Sequence, residues 1–169
     1  MPTTAAAQAT FTITRVYEAS IEDCWTLWTT AAGIESWWGP EGFAVTVTDL
    51  DLKVGGVLNY VMTATAPQQM AFMKRAGMPL ATPCKVTFTE VHAPHRLGYA
   101  TLTDFMPGVK PYEVGTLVEL KPTPEGTKIT ITFDAMHDAV WTQRARAGHE
   151  SQLRKLDALM TAQGKAVQA

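Results

Sequence analysis

An α+β domain built on an antiparallel sheet is what this sequence predicts, on three observations. Six segments from residue 43 onward alternate apolar and polar residues with period two, as strands of a sheet wetted on one side do. Apolar residues at helical spacing are confined to a short stretch near the start and a long one at the end. Helices segregated in this way from a run of strands define the α+β class.

The elements follow in order. "FTITRVY" at 11–17 is rich in β-branched and aromatic residues and reads as a strand. Ser20 offers an N-cap with Asp23 three residues on, and Ile21, Trp25 and Trp28 continue at helical spacing to about Thr29. A second short helix is expected to carry Ile34, Trp37 and Trp38 at i, i+3 and i+4, which puts both tryptophans of "ESWWGPEG" on one arc. Gly39-Pro40 then ends it. The six strands are "FAVTVTDLDL", "GVLNYVMT", "CKVTFTEVH", "RLGYATLTD", "VGTLVELKP" and "TKITITFDA". The last is the cleanest, with Ile129, Ile131 and Phe133 on one face and Lys128, Thr130 and Thr132 on the other. Gly55-Gly56, Ala93-Pro94 and Pro124-Glu125-Gly126 supply turns. A final helix is expected from about Asp138 to Ala162, its stripe formed by Trp141, Ala145, Gly148, Gln152, Leu156 and Leu159. With no repeat or linker, residues 11–163 read as one domain, preceded by a loose arm at 1–10 and followed by a tail at 164–169.

Composition narrows the function classes. The chain has 169 residues, 46% hydrophobic and 18% charged, with a formal net charge of −2. That leaves no basic excess to neutralise phosphates, so nucleic acid is not an expected partner. Cys24 and Cys84 form no disulfide framework and no CxxC or Cys/His spacing. With no export signal and no apolar run of membrane-spanning length, the expectation is a soluble, cytoplasmic protein.

Several stretches resemble one family: "VYEASIEDCWTLWT" at 16–29, "SWWGPEGF" at 36–43, "DLDLKVGGVLNYVM" at 49–62, "TFTEVHAPHRLGY" at 87–99 and "MHDAVWTQRARAGHESQLRKLDALM" at 136–160. They resemble the START-like (SRPBCC, helix-grip) superfamily, and within it the homologues of the activator of the heat-shock-protein-90 ATPase. The resemblance implies a curved antiparallel sheet and two short helices wrapped around a long C-terminal helix, with a largely apolar cavity between sheet and helix. The chain departs from the family in two places. Gly148-His149 stands where the family carries a Gly-Trp pair, and the connection at 64–83 is longer than a plain hairpin.

Each candidate residue has a plain and a functional reading. Trp37 and Trp38 are expected as core anchors, worth roughly 2–3 kcal/mol each, with Trp38 the better candidate for a cavity wall. Gly148 inside a helix costs about 1 kcal/mol against alanine and signals close packing or free space. His149 and Gln152 near an apolar stripe must find a protein group, water or ligand, because an unpaired buried polar group costs about 1–3 kcal/mol. Met70, Met73 and Met78 around Phe72, between Pro67 and Gly77, suggest a short helical lid or a packed surface excursion. His92 and His95 flank a proline turn and lack a third ligand, so no metal or cofactor is expected. No nucleophile, phosphate-loop or nucleotide motif occurs, and Lys53, Lys74, Lys85 and Lys110 are scattered.

The first functional expectation is therefore binding of a small hydrophobic or aromatic molecule, lined by Trp38, Tyr60, Met73, Phe88, Tyr99, Phe133, Trp141, Gly148, His149 and Gln152. On that reading Gly148→Trp should fill the cavity. The resemblance implies an alternative, an enzyme of the cyclase, aromatase or hydrolase type acting in the same cavity. His149 or Asp104 is then its weak acid–base candidate, with Asp104 pairing His137 or His149. A chaperone-associated role comes third, because the activator joins this domain to a separate N-terminal one for which the chain has no room. A homodimer through exposed sheet or helix surface is left open.

Overall fold

A computed structural model describes residues 9–104, 106 and 108–165; residues 1–8 of the expected arm and 166–169 of the expected tail lie outside the described residues. The elements are β1 (Thr10–Tyr17), α1 (Ile21–Thr29), α2 (Ala31–Glu35), β2 (Phe43–Leu50), β3 (Val57–Ala64), α3 (Pro67–Arg75), β4 (Ala81–His92), β5 (Arg96–Thr103), β6 (Tyr112–Thr123), β7 (Gly126–Asp134) and α4 (Ala139–Ala162). All strands pair antiparallel in one seven-stranded sheet ordered β1-β7-β6-β5-β4-β3-β2. This is the α+β, helix-grip architecture expected.

The sheet is a meander from β2 to β7, and β1 closes onto β7. Register breaks between Val47 and Asp49 and between Phe88 and Glu90 interrupt the ladders; such breaks bend the strands that carry them. On the covered face Leu58 lies opposite Val86 and Leu97 opposite Val118, and all four are fully buried. They join Tyr17, Cys24, Trp28, Ile34, Trp37, Ile129 and the helix residues Leu153, Leu156 and Met160 in one core.

The Ser20 cap forms as expected, its hydroxyl accepting from Asp23 N at 3.1 Å. Thr30 divides the two short helices: its extended backbone ends α1, and its hydroxyl caps α2 by accepting from Gly33 N at 3.0 Å. The regular part of α2 stops at Glu35, short of the tryptophans. A last turn persists, because Trp37 N and Trp38 N both donate to Ile34 O, at 3.3 and 3.0 Å. Both rings therefore still turn inward. Gly39 then takes φ +86°, a left-handed conformation that glycine adopts without cost.

The stripe of α4 differs from the expected one. Its buried residues are Leu153, Leu156 and Met160, and with His149 they run in steps of four, three and four. Toward its C-terminal end the covered arc is thus rotated from the expected one, with Leu156 common to both, while Trp141, Ala145 and Gln152 of the expected stripe border the space described below and Gly148 falls on the flank. The helix packs where bulk fills space between sheet and helix, and that space is set by side chains far away in sequence. No helix of the described residues is long and apolar enough to cross a membrane.

Candidate functional site

Two adjoining chambers lie between the concave sheet face and α4. The inner one, about 90 Å³, is walled by Trp28, Trp37, Trp38, Tyr60, Tyr99, Ile131, Phe133 and Leu153, with Thr101, Thr116, His149 and Gln152 as its polar members. The outer one, about 290 Å³, lies under the N-terminal half of α4, between Trp141, Ala145 and Arg144 above and Thr103, Val114 and Met136 below. Thr101, Thr116 and His149 border both chambers and form the waist between them.

The segment "WGPEGF" closes the inner end because α4 clamps it. The Lys155 ammonium donates to the carbonyls of Trp38, Gly39 and Phe43 at 3.0, 3.1 and 2.9 Å. Gln152 Oε1 accepts from Gly39 N at 3.2 Å and Ser151 Oγ from Glu41 N at 2.9 Å, while Arg154 Nε meets Glu41 Oε1 at 2.7 Å. Burial lowers the Lys155 pKa, opposed by the Glu41 charge. Trp37 Nε1 donates to Leu27 O at 2.9 Å, and Trp28 and Trp37 meet edge to face at 4.8 Å. Trp38 leans on Tyr60 and Tyr99 at 5.6 and 5.8 Å between ring centroids, yet its buried indole N–H has no acceptor among the described residues.

His149 stands at the waist. Its ring stacks on Phe133 at 3.9 Å and 22°, and no hydrogen bond reaches its nitrogens among the described residues. Burial pushes its pKa down to about 4, so the ring is neutral at physiological pH. Burial likewise raises the hydroxyls of Tyr60, reinforced by Cys84, and of Tyr99, where the Trp28 indole opposes it. The charges near the cavity stand at the outer chamber: Arg144 lies 4.9 Å over the Trp141 ring, and Asp134 accepts from Gly115 N at 3.0 Å.

The structure brings Trp38, Tyr60, Tyr99, Phe133, His149 and Gln152 together around the inner chamber and puts Trp141 in the outer one. Four expected residues fall elsewhere. Phe88, although opposite Tyr99 in register, is sealed in the core at 2% exposure. Met73 is buried on α3, which borders neither chamber; the entry to that helix is tied to the β2 end of the sheet, with Thr65 N and Ala66 N donating to Gly42 O. The α3 helix expected between Pro67 and Gly77 therefore forms, but it does not cover the cavity mouth. Gly148 borders neither chamber, and a Cβ there would meet nothing within 4 Å, so Gly148→Trp would not fill the cavity. Asp104 is exposed and makes no pair with either histidine, while His137 Nδ1 lies 2.8 Å from the Tyr112 hydroxyl.

No group of three metal-ligating side chains is assembled among the described residues. The His92 ring faces Glu90 at 3.3 Å on the surface. Burial pushes the Cys24 thiol up to about 11 and raises Cys84, which makes both poor nucleophiles. Sequence reasoning missed Thr101 and Thr116. The signal was present, because Thr101 shares strand parity with Leu97 and Tyr99, and Thr116 with Val118 and Leu120.

The comparisons with known proteins agree with this fold. The family model for activator of Hsp90 ATPase homolog 1-like proteins matches residues 18–161. A solved structure of a Chromobacterium violaceum protein is 22% identical with a TM-score of 0.72, covering 89% of this chain and 96% of that one. The AHSA1 protein from Silicibacter pomeroyi is 20% identical with a TM-score of 0.70, covering 92% and 99%. The AHSA1-like protein from Aeromonas hydrophila is 24% identical with a TM-score of 0.65, covering 89% and 94%. At these identities the solved structures speak for the fold alone, and no curated protein matches the sequence. With the family model running from just after β1 to the last turn of α4, the chain belongs to the activator of Hsp90 ATPase homolog 1-like family, within the START-like superfamily.

Proposed function

We propose that this protein binds a small hydrophobic or aromatic molecule in the two chambers between sheet and C-terminal helix. The observation that supports the reading is the pair of adjoining chambers, which share Thr101, Thr116 and His149 and are otherwise walled mostly by aromatic and aliphatic side chains. Ligand sites have this character, apolar for affinity and sparsely polar for orientation. The inner chamber is smaller than the roughly 150 Å³ that accommodates benzene, so the ligand's bulk belongs in the outer chamber, against Trp141. Native mass spectrometry of gently purified protein tests the reading. A stoichiometric added mass that disappears on denaturation is expected. A bare mass, joined by unmoved Trp38 and His149 NMR signals on titration with aromatic compounds, would remove it.

A second reading, acid–base catalysis on the bound molecule, is favoured by one observation. His149 borders both chambers and has no hydrogen-bond partner among the described residues, so a ring nitrogen can face a bound molecule. Asp104 is too exposed to assist it. Turnover lost in His149→Ala with binding retained, together with a pH–rate profile carrying the His149 titration, is the expected result for an enzyme.

A further inference from the structure

The waist between the chambers is polar in a way that packing does not require. Thr116 is 8% exposed and lies opposite Tyr99 in register; Thr103, 5% exposed, lies two residues beyond Thr101 on the same face of β5. Neighbouring positions on that face are Leu97, Val118 and Ile131, and valine would fit each threonine site with the same shape. None of the three hydroxyls has a hydrogen-bond partner among the described residues, and neither do the nitrogens of His149. A hydroxyl left dry costs about 1–3 kcal/mol. The fully sealed side-chain atoms lacking a partner are Trp38 Nε1 and Thr123 Oγ1, so the threonine hydroxyls open into the chambers. Among the described residues no Asp, Glu, Lys or Arg borders the inner chamber; Asp134 and Arg144 border only the outer one.

We infer that the waist reads an uncharged hydrogen-bonding group, a carbonyl or hydroxyl, placed partway along an otherwise apolar ligand. The inference rests on the ligand-binding reading above and names the ligand's chemical class. The oxygen sits among Thr101, Thr116 and His149, where hydroxyls both donate and accept and a neutral imidazole supplies one N–H and one lone pair. A small alkyl end enters the inner chamber, and an aromatic or apolar bulk lies in the outer chamber over Trp141. A carboxylate at the waist would be stripped of water and meet no cation, so it is rejected.

Calorimetric titration of the full chain at pH 7 with three matched probes tests this: benzylacetone, its hydrocarbon isostere isopentylbenzene, and the carboxylate hydrocinnamate. Benzylacetone is expected to bind about tenfold more tightly than the hydrocarbon, the worth of one well-placed hydrogen bond, and the carboxylate least tightly. Thr116→Val and Thr101→Val keep shape and strand preference. Each is expected to bring ketone and hydrocarbon to within about twofold by weakening the ketone alone. Equal binding of ketone and hydrocarbon to the unaltered protein overturns the inference while leaving the apolar-ligand reading standing. Tightest binding by the carboxylate overturns it as well. No binding by any probe at millimolar concentration overturns both readings together.

Discussion

Trp37 and Trp38 are neighbours in the chain, and both are buried, at 2% and 5% exposure, but only one indole N–H is satisfied. Trp37 Nε1 holds the carbonyl of Leu27, one of the acceptors that the end of α1 leaves unpaired. Trp38 Nε1 holds nothing. Trp37→Phe is therefore expected to destabilise the protein more than Trp38→Phe, by about 1 kcal/mol, as urea unfolding would show; equal losses would mean that the Leu27 bond contributes nothing. His149 gives a pH dependence of defined sign. Its pKa is about 4 in the fold against 6.5 unperturbed, so the unfolded chain takes up the proton first as pH falls. Stability due to this group is complete above about 6.5 and is lost as pH drops toward about 4. His149→Phe, which keeps a flat ring on Phe133, is expected to flatten that part of the stability profile; an unchanged slope would place the titration on other groups.

At the scale of the element, α4 combines two functions in one helix. Its C-terminal half is bolted down: Lys155 to three carbonyls of the Trp38–Phe43 segment, and Asp157 to the Tyr17 hydroxyl at 2.7 Å and to Arg15 Nε at 3.1 Å. Lys155→Met keeps the stem and removes the ammonium. It is expected to cost about 2 kcal/mol, the range for hydrogen bonds to a charged group, and to speed amide exchange at Gly39 and Phe43. Wild-type exchange there would show that the Ser151, Gln152 and Arg154 contacts suffice alone. Gly148 tests the rotated stripe. Because a Cβ would meet nothing, Gly148→Ala is expected to stabilise the protein by about 0.5–1 kcal/mol through helix propensity, measured by thermal unfolding. A loss of stability would restore Gly148 to a packed face. The stripe was misread from sequence for a physical reason: Trp141, Ala145, Gln152 and Leu159 keep helical spacing as well as His149, Leu153, Leu156 and Met160 do. Only the opposing sheet decides which arc is covered.

Over the whole molecule, the N-terminal half of α4 spans the outer chamber and carries none of the helix's buried residues. Hydrogen exchange in the unliganded protein is expected to be faster across 141–148 than across 153–160, and binding of an apolar ligand is expected to protect the first stretch more. Uniform exchange along α4 would show the helix opening as one unit. The sequence by itself determined the order of elements, the cap at Ser20, the strand segments and the inward turn of the two tryptophans. Those follow from local steric and hydrogen-bonding preferences and from periodicity, which a single segment carries within itself. Only the tertiary structure decided that Thr101 and Thr116 form a waist, that Phe88, Met73 and Gly148 lie off the cavity, and that Lys155 anchors the Trp38–Phe43 segment. Those are distances between residues as far as 117 positions apart, set by the register of seven strands and the rotation of one helix, and neither quantity is contained in any one segment.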